Sequence, residues 1–170
     1  MKKALVIYSS KTGFTRKYAT WICDALDADL LEYSDRERVN YDHYDTIIYG
    51  GGIYAGKINN IKWFRERLSK FGDKKVVLFV TGAMNNKSSN VMESIKKNFK
   101  PGEWGRFKTF YMQGGLDYEH MHEMDRAMMT AFRYMLKISQ KDKGMADRIA
   151  SSFDLTSRNE IVPLVEYCLK

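Results

Sequence analysis

The sequence predicts an α/β fold, with a parallel sheet covered by helices on both faces. Three observations carry that prediction. The runs KKALVIYS (2–9) and KVVLFVTG (75–82) are almost continuously apolar, as strands buried on both faces are. Such runs alternate with stretches of helical periodicity, which is the order of βαβ units. Four strands run into small or hydroxyl residues, SSKTG, GGGIY, TGAMNN and QGGLDY, at the carboxyl ends where parallel sheets bind their ligands.

The elements follow in order. After strand 2–9, residues 13–26 carry helical spacing through Ala19, Ile22, Cys23 and Leu26. DADLLEY (27–33) is a second, weaker strand, and DTIIYGGG (45–52) a third that ends in glycines. INNIKWFRERLSKF (58–71) predicts a helix with Ile61, Phe64, Leu68 and Phe71 on one stripe. Strand 75–82, a short helix over 88–98 and strand 106–115 complete the alternation. From 119 to 140 the spacing predicts one long helix, SSFDL (151–155) a connector, and the end of the chain a last helix. Its start is either a capping box at Ser157 and Glu160 or a position near Pro163. No repeat or linker divides the chain, so residues 1–170 read as one domain.

Hydrophobic residues make up 44% and charged residues 29%, a globular composition. No apolar run reaches the ~20 residues of a membrane span, and the apolar stretch after Met1 is too short for a secretory signal, which points to a cytoplasmic protein. Cys23 and Cys168 have no metal-ligand spacing and read as buried, reduced thiols. A net charge of +7 favours anionic partners: phosphates, carboxylated substrates or an anionic membrane surface. No nucleic-acid module is recognisable, and the basic residues are dispersed.

GGIYAGKI (51–58) nearly has the spacing of a nucleotide-binding loop, but Ile58 stands where a hydroxyl should hold magnesium. The first strand-to-helix turn is the better phosphate site. Ser9, Ser10, Thr12 and Thr15 offer hydroxyls, Gly13 lets the chain wrap, and the helix that follows presents its unpaired N–H groups and dipole. On those residues alone, an ordinary hydroxyl-rich helix cap is an equal alternative.

The run VIYSSKTGFTRKYA (6–19) resembles the FMN phosphate loop of the flavodoxin family, with Val6, Ile7, Tyr8, Ser10, Thr12, Gly13, Thr15 and Ala19 on matching positions. Phe14 departs from it, standing where flavodoxins often have Asn. The resemblance implies a flavodoxin-like three-layer sandwich with strand order 2-1-3-4-5, and FMN held by residues Ser9, Ser10, Lys11, Thr12, Gly13, Phe14 and Thr15. It implies a second flavin loop at Gly51, Gly52, Ile53, Tyr54 and Ala55, with Tyr54 stacking on the ring or lying in solvent. A third loop would be Thr81, Gly82, Ala83 and Met84, which lacks the family's frequent aromatic residue, and Gly115 would lie close by.

YDHYDTIIYGGGIYAGKI, the Trp-Phe helix after it, and GGLDY leading into a Met-rich helix are similar to the menaquinone-dependent protoporphyrinogen oxidases. That likeness implies an FMN oxidoreductase passing electrons from a reduced substrate, such as an anionic tetrapyrrole, to a quinone, with peripheral membrane contact. A flavodoxin-type electron carrier and a flavin-free binding module are the alternatives; carriers are typically acidic, which +7 fits poorly. Met121, Met124, Met128, Phe132 and Met135 recur every three or four residues. That stripe is read as core packing, with an adaptable surface for a flat substrate, a quinone or a membrane edge as the sharper alternative. His120 and His122 read as surface residues, and no side chain is named as acid, base or metal ligand.

Overall fold

A computed structural model describes residues 3–85, 90–139 and 143–170. Its sheet contains β1 (Ala4–Ser9), β2 (Asp29–Glu32), β3 (Thr46–Tyr54), β5 (Lys75–Gly82) and β6 (Lys108–Gln113), with the two-residue β4 (Lys57–Ile58) folded back on β3. The long strands are all parallel and lie in the order β2-β1-β3-β5-β6. Leaving β4 aside, this is the expected order of second, first, third, fourth and fifth.

Burial on both faces explains the apolar runs. Leu5 and Ile7 of β1 face one core with Ile47, Tyr49, Leu78 and Phe64. Val6 and Tyr8, one residue out of phase, face a second core with Tyr18, Ile48, Phe79 and Leu164. Helices α2 (Ile61–Arg67) and α3 (Asn90–Lys96) cover the first face; α1 (Phe14–Leu26) and α6 (Val162–Leu169) cover the second. β2 is an exposed edge, as its weaker pattern implies.

Several boundaries differ from the expectations. The start of 58–71 is taken by β4 and a turn, so α2 begins only at Ile61. Strand 106–115 is shorter: β6 stops at Gln113 and Gly115–Leu116 forms a separate β7. The SSFDL connector supplies its partner, the antiparallel β8 (Phe153–Asp154). The long helix α4 (Glu123–Ser139) begins four residues late because the Asp117 carboxylate accepts from the N–H groups of Glu119 and His120 and holds a turn there. Ser157 caps only a short 3-10 turn, and α6 starts beside Pro163, the second of the two starts considered. Helix α5 (Lys143–Arg148) lies against α4.

The core-packing reading of the methionine stripe is overturned. Met121 is buried in a small third cluster with Leu116 and Ile149, which Met129 and Leu136 of α4 join. Met124, Met128, Phe132 and Met135 are exposed. Periodicity reveals that a face is apolar, but Met129 and Leu136 take the inward position.

Candidate functional site

β1 lies between β2 and β3, so its carboxyl end opens at the centre of the sheet rim, where the chain order reverses. Ser9 ends the strand and its hydroxyl accepts from the Asn60 side-chain amide at 2.8 Å. Ser10 Oγ accepts from the Gly13 N–H at 3.1 Å, closing a tight loop before α1. Gly13 caps the helix at φ 93°, a conformation that suits glycine. The first-turn N–H groups of α1 have no acceptor within their helix.

The adjoining strands supply the walls. Thr15 and Thr81 are buried with their hydroxyl oxygens 2.7 Å apart, which ties the first loop to the end of β5. A Cβ at buried Gly52 would lie 3.0 Å from the Tyr54 ring, 3.4 Å from Thr15 Oγ1 and 3.5 Å from Asn59 Nδ2. Asn59 Nδ2 is itself a buried donor without a protein partner. Glycine at 52 therefore lets the Thr15 hydroxyl and the unsatisfied Asn59 amide come close to the β3 backbone. That donor set fits an anionic group, because buried donors are costly until an acceptor meets them.

Tyr54 turns toward this loop. Its hydroxyl lies 3.2 Å from Thr12 Oγ1, and Lys11 Nζ sits 4.9 Å from its ring centroid. Burial raises the Tyr54 pKa above that of a free tyrosine. Lys11 also reaches the largely buried Asp125 carboxylate on α4 at 2.9 Å. Ile53 pairs with Ile58 and Tyr54 with Lys57, which leaves Ala55 and Gly56 as a two-residue turn with φ 46° and 79°. Lys57 is thus an exposed β4 residue and Ile58 a buried one; GGIYAGKI is a strand and hairpin, not a triphosphate loop. Gly51, also buried, lets Ile58 pack close: a Cβ there would sit 2.7 Å from its methyl.

The remaining predicted positions divide between rim and packing. Gly82 accepts the Gly114 N–H at 2.8 Å and is crowded by Ile53 and the Tyr111 hydroxyl. Ala83 joins the cluster beneath α4, whereas Met84 packs on the α2 side and its carbonyl accepts from Tyr111 at 2.8 Å. A Cβ on Gly115 would meet the Phe153 carbonyl at 2.0 Å and the Phe14 ring at 2.9 Å. Phe14 therefore packs against the β7–β8 pair, which gives this departure a structural use. His120 and His122 are exposed, and His120 pairs with Asp117.

Asn59 and Asn60 are the contributions that sequence reasoning missed. Asn60 adopts φ 52°, a left-handed conformation that Asn tolerates well, and this turns the chain so that both amides approach the first loop. Both fall inside the stretch 58–71 that reads as a helix, and no local pattern marked them.

The Flavodoxin domain family matches residues 5–143. The chain belongs to this family. An uncharacterized protein of Methanocaldococcus jannaschii is 32% identical over 139 residues, which cover 72% of this chain and 90% of that protein. The flavodoxin-like domain-containing protein BilS of Clostridioides difficile is 25% identical over 158 residues, 86% of this chain and 81% of BilS. Among solved structures, a flavoprotein of Lactobacillus acidophilus in complex with FMN overlaps 66% of this chain and 93% of its own at 19% identity and a TM-score of 0.48. In the flavodoxin-domain chain described here, the three rim loops 9–15, 51–55 and 81–84 converge through the Thr15–Thr81 and Thr12–Tyr54 contacts.

Proposed function

We propose that this flavodoxin-domain protein binds FMN and works as an oxidoreductase, passing electrons from a reduced substrate to a quinone or similar acceptor. The observation that carries the reading is the buried Asn59 amide without a protein partner, packed with the Thr15 hydroxyl against Gly52 beside the start of α1. Ser10, Thr12, Thr15 and the first-turn N–H groups would hold the phosphate, with Lys11 offsetting its charge. Bound there, FMN would supply the redox chemistry.

The chain's own residues then bind and orient. Residues 51–55 and 81–84 flank the ring site, and Tyr54 closes one side of it. Tyr54 and Tyr111 both have pKa values raised by burial, so they keep their protons at neutral pH and serve as hydrogen-bond donors rather than bases. Support for a protoporphyrinogen oxidase-like reaction comes from the sequence likeness around YDHYDTIIYGGGIYAGKI and from a +7 charge compatible with a carboxylate-bearing tetrapyrrole.

Titration with FMN, followed by flavin fluorescence, tests the core of the proposal; saturable quenching is expected, and its absence refutes it. The two one-electron potentials then discriminate function. A carrier separates them widely, whereas a two-electron enzyme keeps them close. Turnover of protoporphyrinogen with a menaquinone analogue checks the narrower reaction.

A further inference from the structure

Helix α4 carries an apolar face that the rest of the described chain leaves uncovered. Met124, Met128, Phe132, Tyr134, Met135 and Ile138 are between 40% and 83% exposed, and Ala127 and Ala131 are exposed beside them. At about 100° per residue these eight fall on one arc of roughly 160°, and no charged residue of 123–138 falls within it. Asp125, Met129 and Leu136 occupy the inward side, where Asp125 pairs with Lys11 and the other two pack on the Leu116, Met121 and Ile149 cluster. An uncovered apolar surface of this length marks an interaction site.

Spacing selects the occupant. Met124, Met128, Ala131, Met135 and Ile138 stand four and three residues apart in alternation, the period of a helix–helix seam. Phe132 and Tyr134 flank the seam without charge, so a second α4 meets no like charge across it. A lipid surface finds no cation on this face, since Arg126, Arg133 and Lys137 lie on the opposite side of the helix. At roughly 200 Å² for a large side chain, the six exposed fractions amount to about 700 Å² per copy, close to the ~800 Å² that each partner gives to a standard interface. We propose that the chain forms a twofold dimer in which two α4 helices pack antiparallel along this seam. In that direction Met128 of each copy meets Ala131 of the other, and Met124 meets Met135, so large side chains fill the space beside small ones. A parallel pair would set Ala131 against Ala131 and leave a void there. The dimer does not rest on the flavin reading.

The test is sedimentation equilibrium of the full chain between about 1 and 100 μM, where a monomer–dimer equilibrium is expected, with a melting temperature that rises with protein concentration. Met128→Glu/Met135→Glu should weaken association by about a hundredfold or more, because the dimer would bury carboxylates without partners. Ala131→Phe separates close packing from simple stickiness. It adds apolar area at an exposed position, yet in the antiparallel register it collides with Met128 of the other copy, so association should weaken by about tenfold or more. Far-UV circular dichroism and the melting temperature of dilute protein confirm that each variant is folded. A dimer that survives Met128→Glu/Met135→Glu, or tighter association of Ala131→Phe, would overturn the proposal. So would a monomer throughout the range, and co-sedimentation of that monomer with lipid vesicles would make a membrane the occupant instead.

Discussion

Replacing Thr15 by valine separates the two uses of its hydroxyl. The Thr15 and Thr81 oxygens lie 2.7 Å apart in a buried site, so one of them donates to the other. When Thr81 donates, the Thr15 proton is left to meet a phosphate oxygen. Valine keeps the shape and deletes that donor. A hydrogen bond to a charged group is worth about 1.5–3 kcal/mol, so FMN should bind about ten- to a hundredfold more weakly. The substitution also strands the Thr81 hydroxyl, which is only 3% exposed. That costs about 1–3 kcal/mol of stability, at roughly 2–4 °C of melting temperature per kcal/mol for a chain of this size. Thr15→Val/Thr81→Val removes both hydroxyls and should recover most of the melting temperature, but none of the affinity. Fluorescence titration and thermal unfolding read the two effects independently. FMN affinity within threefold of wild type would refute the phosphate role, and a double variant no more stable than the single one would refute the buried pair.

Three further outcomes follow from local structure. Gly50→Ala places a Cβ 2.0 Å from the tip of the fully buried Phe79 ring, so it should lower stability by about 1–3 kcal/mol in denaturant titrations; an unchanged midpoint would show that the ring can yield. The Arg65 guanidinium, at 2.7 and 3.1 Å, holds the Glu103 carboxyl below its ordinary pKa. Its stabilisation is complete above the unfolded value of about 4.3 and disappears as pH falls through the lower folded value, so Glu103→Gln should flatten the acid limb of the stability curve; parallel curves would contradict this. Burial pushes the Cys168 thiol up to about 11 and also raises that of Cys23. At pH 8 about one Cys168 in a thousand is then thiolate, so disulfide reagents should label Cys168 in the native protein at least a hundredfold more slowly than in the unfolded chain; rapid native labelling at Cys168, located by peptide mapping, would refute this.

What could be read from the sequence depended on how local the cause was. Strand 75–82 was legible because a strand buried on both faces must be apolar throughout, and the SSKTGFT turn between β1 and α1 because Gly13 and the Ser10 hydroxyl shape it locally. Asn59 and Asn60 were not legible as site residues, since their amides reach the loop only after β3 and β4 pair and Asn60 turns the chain. The β7–β8 pair involves two residues on each side, too few for a period to register. The methionine stripe was visible but its direction was not. A helical period cannot distinguish a face turned inward from one turned outward when the inner contact needs only Met129, Leu136 and an ion pair.

That ion pair has a thermodynamic consequence. Lys11 belongs to the first rim loop and Asp125 to α4, so the contact joins the loop to the helix. If occupancy of the outer helix face alters this contact, FMN affinity changes by some factor, and FMN must change affinity at the helix by that same factor. The Lys11 side chain is 44% exposed, which keeps the pair near the ~1 kcal/mol ceiling of surface ion pairs. Coupling through this contact alone is thereby limited to about fivefold, too little to make either ligand obligatory for the other.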